Sequence, residues 1–492
     1  ASTFNHNSGT VNLASSGTST YSCNNVVFNL VTVNKTSGNH TFTNCALPVG
    51  NNPTITTTNG GALTFNTSSI TGTGTITFAT NVLIVLNTSS LNGFDGIVVL
   101  SLNYNSSSTD FSSYTTFTLG GSLALTASST ITLPNLPISV TTLTITNSTL
   151  NSTSSVLTTS GVISITGTGA FNHNNGSLVI TGSGTNSSSC NNVVFNSVTI
   201  NKSNGNLTLT NCSLPLGSNP TVTTGPGNSI ILNGSSLVGT GTITFNTNLS
   251  LTMNTSSSLV GFSGLSVFGL TVSGSTADFS GYSTFAFAGG PITLTSSAVL
   301  VLPNINVTID GLTITSSTFT TTSSTLNVNG TINISGASTF NHNNGVVNIT
   351  GTGTETFSCN SVTFNSVTIT KSQGSVTLNS CTFPVGNNPT ISNGNGYSFI
   401  MNSSSLVGTG TITFVTTIYL SLNTSSTLTG FSGLSVFGLT VSNSTANFSS
   451  YSPFTLGGPV SVTSSAVLTL PNSNITMTDL TITNSTLTST SS

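Results

Sequence analysis

The sequence predicts an all-β fold, a parallel β-solenoid with coils of about 20–22 residues. Three observations lead there: the chain repeats itself at long range, its cysteines recur in pairs at one fixed interval, and its apolar residues alternate in short runs between polar corners.

The repetition sets the organisation. Phe171-Asn172-His173-Asn174-Asn175-Gly176 returns as Phe340-Asn341-His342-Asn343-Asn344-Gly345 and, altered, as Phe4-Asn5-His6-Asn7-Ser8-Gly9, so the three copies start at nearly equal spacing. Three tandem repeats follow, 1–167, 168–336 and an incomplete 337–492, expected to stack as one continuous rod. A period of about 168 residues is too long for one supersecondary unit, so each repeat is expected to hold about eight coils, with about 23 in the chain. Thr481–Leu487 matches Thr144–Leu150, so the chain reads as a window of a longer array.

The cysteines supply a length for the coil. Cys23 and Cys45, Cys190 and Cys212, and Cys359 and Cys381 all keep one interval in sequence, 22. Neighbouring strands lie about 4.7–4.9 Å apart, within the Cα separation of about 4.4–6.8 Å that a disulfide accepts. Equivalent positions in adjacent coils can therefore be bridged, and a ladder of buried thiols is the alternative. Zinc is disfavoured, because no second cysteine pair or suitably spaced histidine accompanies each pair. A string of β-sandwiches would need hairpin pairing within units of about 100 residues, and it gives no reason for the fixed interval.

The strands come next. Val193 and Phe195, Val198 and Ile200, Leu207 and Leu209, and Leu214 and Leu216 alternate with polar residues, the period of a strand with one buried face. Between them lie Asn191-Asn192, Asn196-Ser197 and Ser203-Asn204-Gly205-Asn206, residue types that tolerate left-handed corners. Val238-Gly239-Thr240-Gly241-Thr242, repeated as Val407-Gly408-Thr409-Gly410-Thr411, reads as a glycine corner entering a strand. Helix is not expected: arginine is absent, and there are three lysines, one glutamate and one glutamine among 492 residues. Right-handed winding is favoured, since the hexapeptide pattern of left-handed solenoids is missing.

Composition excludes several functions. Charged residues make up 2% of the chain and the net charge is −3, so the clustered cations that displace counterions from nucleic acid are absent. Hydrophobic residues at 35% are too many for a disordered Ser/Thr tract. Apolar runs such as Val82–Leu86 fall far short of the roughly 20 residues that span a bilayer, so no membrane insertion is expected. With so little to screen or titrate, the protein is expected to respond weakly to salt and pH.

Candidate chemistry is sparse. The acids are Asp95, Asp110, Asp278, Asp310, Glu355 and Asp479; only Asp110 and Asp278 are in phase, and Asn447 takes that place in the third repeat. A polysaccharide-degrading site needs carboxylates at matched distance, so no catalytic residue, cofactor or metal is expected. Lys35, Lys202 and Lys371 recur in phase, as do His6, His173 and His342; they read as solvated lysines and polar corner histidines copied with the repeat. Sequons occur at Asn34, Asn66, Asn87, Asn147, Asn206, Asn254, Asn329, Asn402 and Asn484 among others, at about the number chance gives in so Asn-, Ser- and Thr-rich a chain. Tyr114, Tyr282 and Tyr451 are in phase and, with Tyr104, form a candidate glycan-contact groove.

The run Phe-Asn-His-Asn-Asn-Gly, an alternating Val/Ile strand, Thr-Gly-x-Gly-Thr and then Asn-x-Val-x-Phe-Asn-x-Val-Thr-Ile resembles repeats in very long bacterial surface proteins, similar in turn to filamentous-haemagglutinin-type β-solenoids. The resemblance covers about the first 35 residues of each repeat and implies an extracellular fibre or adhesin shaft. The sequence thus points to a non-enzymatic, extracellular or cell-surface structural protein whose partner is itself, end to end or within a longer chain. A glycan-binding surface adhesin is the alternative. An ice-binding solenoid and a polysaccharide-degrading β-helix are weaker ones.

Overall fold

Period-two alternation does become strand. The computed structural model describes residues 4, 7–14, 16–24, 26–57, 60–79, 81–246, 248–415 and 417–489. Among them are strands of two to six residues, paired in parallel, and no helix. The chain winds as a β-solenoid of about 23 turns, the fold class expected from the sequence.

Packing divides it into two compact units, Ala1–Leu249 with Ser258–Phe262, and Ser250–Ser257 with Ser263–Ser492. Within each unit one strand of each turn belongs to a parallel face, with eleven such strands among the described residues of the first unit and twelve among those of the second. The remaining strands form short parallel sheets, as where Ser69–Thr73 lies between Ala46–Asn51 and Ser90–Asn92.

The core is a set of in-register ladders. In the first unit Leu63, Ile84, Leu102, Leu123, Leu143 and Ile163 lie side by side in successive turns, all buried. Phe65, Leu86, Tyr104, Leu125, Ile145 and Ile165 form the neighbouring ladder. In the second unit Leu270, Ile292, Leu312, Ile332 and Phe357 repeat the arrangement. Parallel sheets normally need both faces covered; here coiling makes one face the interior and leaves Thr, Ser and Asn on the other.

Turn length varies more than expected. Leu83 lies beside Ser101 in the next turn, whereas Ser164 has to reach Ser189 before it meets its neighbour. Corners absorb the difference: the longer turn holds the Asn174–Gly176 corner and the segment 181–185.

One recurring corner is built from a left-handed residue followed by one that points inward. Asn44, Thr67, Thr88 and Ser106 have φ of 52°, 48°, 50° and 49°. They are followed by Cys45, Ser68, Ser89 and Ser107, all buried except for a few per cent of their surface. These residues form a hydrogen-bonded ladder. The Cys45 N–H donates to Ser68 Oγ (3.1 Å), Ser68 N–H to Ser89 Oγ (3.0 Å), Ser89 N–H to Ser107 Oγ (2.9 Å) and Ser107 N–H to Ser129 Oγ (3.2 Å). The Ser89 hydroxyl in turn donates to the carbonyl of Phe65 at 2.8 Å. In the second unit Cys381 N–H donates to Ser404 Oγ (3.1 Å), and Ser404 N–H to Ser426 Oγ (3.2 Å). Buried backbone N–H groups at a bend need partners, and inward serines supply them.

All three cysteine pairs are disulfides, with Cα separations of 4.8, 4.8 and 4.9 Å, the spacing of adjacent turns. Each bridge lies at the head of such a corner: Cys45, Cys212 and Cys381 donate their N–H groups to Ser68, Ser235 and Ser404. The Gly239–Gly241 corner also follows the sequence reading. Gly241 has φ of 71°, and a Cβ on Gly239 would lie 2.4 Å from the Gly217 carbonyl oxygen and 2.6 Å from the Phe262 ring.

Candidate functional site

Strand parity brings the three lysines, Glu355, His173 and His342 indoors. Val31, Val33 and Lys35 share one parity, as do Val198, Ile200 and Lys202, and Val367, Ile369 and Lys371; in each set the lysine follows the valine or isoleucine to the interior. The three lysines are 0%, 1% and 1% exposed, so the expectation of solvated lysines is wrong. Each finds a different solution. Lys35 Nζ donates to Tyr21 Oη at 2.5 Å and lies 5.1 Å from the centre of that ring. Lys202 Nζ donates to the carbonyls of Gly184 (2.9 Å) and Thr181 (3.4 Å), and burial holds it below the usual lysine range. Lys371 Nζ pairs with Glu355 Oε2 and donates to Thr350 O at 3.3 Å; burial pushes it down to about 8. Glu355 occupies the position held by Ser19 and Asn186 in the other repeats.

The histidines share this fate. His173 and His342 are buried at the Phe-Asn-His-Asn-Asn-Gly corner, two residues after the inward Phe171 and Phe340. The Asn196 N–H donates to His173 Nδ1 (3.1 Å) and Asn365 N–H to His342 Nδ1 (3.2 Å), which puts the ring proton on Nε2. Burial lowers the pKa of both imidazoles. His6 lies outside the described residues.

The in-phase tyrosines border the surface without standing free of it. A cleft of about 320 Å³ in the first unit is lined by Ser90, Asn92, Phe94, Ser108, Thr109, Asp110, Ser113 and Tyr114, among others. Tyr114 is buried along most of its length and meets Phe111 edge-on at 4.8 Å; burial, aided by the charge of Asp95, pushes its phenol up to about 12. Tyr282 packs on Phe279, and burial raises it to about 12. Tyr451 packs on Phe448 and donates its hydroxyl to Leu428 O at 3.2 Å. Tyr104 is wholly interior, so it cannot line a groove with the others.

Asp110 and Asp278 have a local task. Their Oδ1 atoms accept the N–H of Ser112 (2.8 Å) and Ser280 (2.9 Å), bonds that hold both carboxyls below the usual range. Asn447 accepts the Ser449 N–H at 3.0 Å, so an amide serves as well as a carboxylate. No group of three or more His, Cys, Asp or Glu is placed to hold a metal among the described residues.

The sequon asparagines divide by corner geometry. Asn34, Asn147 and Asn484 are exposed, and Asn66, Asn87, Asn206, Asn254, Asn329 and Asn402 are half-buried. Asn87 Nδ2 donates to Asn66 Oδ1 (2.8 Å), and Asn402 Nδ2 to Asn379 Oδ1 (2.9 Å), as rungs of outward amide ladders. The third residues of those sequons, Ser68, Ser89 and Ser404, belong to the buried serine ladders. The tripeptide there is the corner motif itself.

These features define a class, the disulfide-bridged parallel β-solenoids with a filled interior and a surface that carries few charges. Beyond that class, no family model, curated protein or solved structure matches the chain.

Proposed function

We propose that the chain is part of an extracellular fibre or adhesin shaft with no catalytic activity, joined end to end with further coils of the same kind. The observation that carries this reading is the in-register stacking of like coils within each unit, each coil burying its apolar ladder only against its neighbours. Three disulfides favour an oxidising compartment outside the cytosol. Immunogold labelling of source cells is expected to decorate surface filaments. Label confined to the cell interior would overturn the reading.

A glycan-binding role has one supporting observation, the polar cleft floored by Tyr114 and bordered by Asn92 and Asp110. It predicts hits on a glycan array that an Asn92→Ala variant loses. An array without hits removes it. Ice binding has less support, because the outward threonine ladders are short: Thr20, Thr41, Thr64 ends at Val85 and Thr252, Thr271, Thr293, Thr313 ends at Asn333.

A further inference from the structure

We propose that Lys371 and Glu355 become joined by an amide bond between Nζ and Cδ, an intramolecular crosslink within the third repeat. The inference is independent of the fibre reading. Lys371 Nζ is in direct contact with the Glu355 carboxylate, and the two side chains are 0% and 7% exposed. The amine also donates to the Thr350 carbonyl, an acceptor that orients it without competing as an electrophile.

Desolvation penalises a separated ammonium and carboxylate. Proton transfer from Nζ to the carboxylate yields the neutral amine and the neutral acid, which are the nucleophile and the electrophile of amide formation. Burial already holds the lysine down to about 8. The amine then attacks Cδ, the Nζ–Cδ bond forms, one Cδ–O bond breaks, and the departing oxygen leaves with two protons as water. Nothing is oxidised or reduced. Holding the partners together supplies effective molarities of about 10⁵ M or more in well-oriented cases, and exclusion of water disfavours hydrolysis of the product.

The other repeats serve as internal controls. Lys202 is held by two backbone carbonyls and Lys35 by the Tyr21 hydroxyl. The position of Glu355 is taken there by Asn186 and Ser19, neither of which offers a carboxylate.

The composition provides the test. With three lysines and no arginine, trypsin can cut the reduced, denatured chain only after Lys35, Lys202 and Lys371. The full chain is expected to be cut after Lys35 and Lys202 but not after the acylated Lys371, and its intact mass should be one water below the sequence mass with cysteines reduced. Glu355→Ala should restore cleavage after residue 371 and the full mass. Lys371→Arg, which keeps a buried cation, should likewise show the full mass. Complete cleavage after Lys371 in the unaltered chain, with no mass deficit, overturns the proposal.

Discussion

At Lys35, Lys202 and Lys371 residue chemistry and strand parity point in opposite directions, and parity wins. Lysine is almost never fully buried, which is why residue type alone sends all three to solvent. The contrary signal is nonetheless present: each lysine stands two residues beyond an inward Val or Ile in a period-two run. The same rule places His173, His342 and Glu355 inside. What alternation cannot supply is the partner, since Tyr21, the Gly184 carbonyl and Glu355 arrive from elsewhere in the fold. The expectation of weak pH response changes accordingly. His173 and His342 have folded pKa values below the unfolded value of about 6.5, so the unfolded chain binds more protons in that window. Stability should therefore fall as pH drops from about 6.5 through the depressed folded values, and His173→Gln should weaken that dependence in thermal melts run from about pH 7 to 5. The serine ladder gives a second prediction at this scale. Ser89→Ala leaves the Ser68 N–H without its acceptor and should lower stability by about 1–3 kcal/mol in urea unfolding, whereas Thr88→Ser at the exposed corner should have little effect.

The coil is the element, and its length was legible because cysteines mark it. Cysteines at a sequence separation of 22 can be bridged only if the chain returns to within a strand spacing of itself, and the Cα separations of 4.8 to 4.9 Å show that it does. The spread of turn lengths was hidden, because corner residues add or remove length without disturbing the inward ladders. The outcome for the bridges follows from burial. Cys190, Cys212, Cys359 and Cys381 are shielded, while Cys23 is half-buried. Under native conditions a reductant should open Cys23–Cys45 first, as read by alkylation and peptide mapping; simultaneous opening of all three bridges would contradict this. Replacing Cys190 and Cys212 together by serine should lower stability by about 3 kcal/mol, the chain-entropy value for a loop of this size.

For the molecule as a whole, the balance of forces is apolar burial against conformational entropy, with charge nearly absent. Stability should accordingly change little between low and high salt, since 2% charged residues leave few surface pairs to screen. The architecture was readable from repetition, alternation and cysteine spacing; its role was not, because the repeating features are ones that build coils. Asp110 and Asp278, the only acids that recur in phase, cap turns. The most direct measurement is cryo-electron microscopy of the native assembled material. The account predicts parallel coils stacked about 4.8 Å apart, running without interruption across the junctions where copies or repeats meet. Discrete particles whose end coils are covered by a dedicated cap would contradict it.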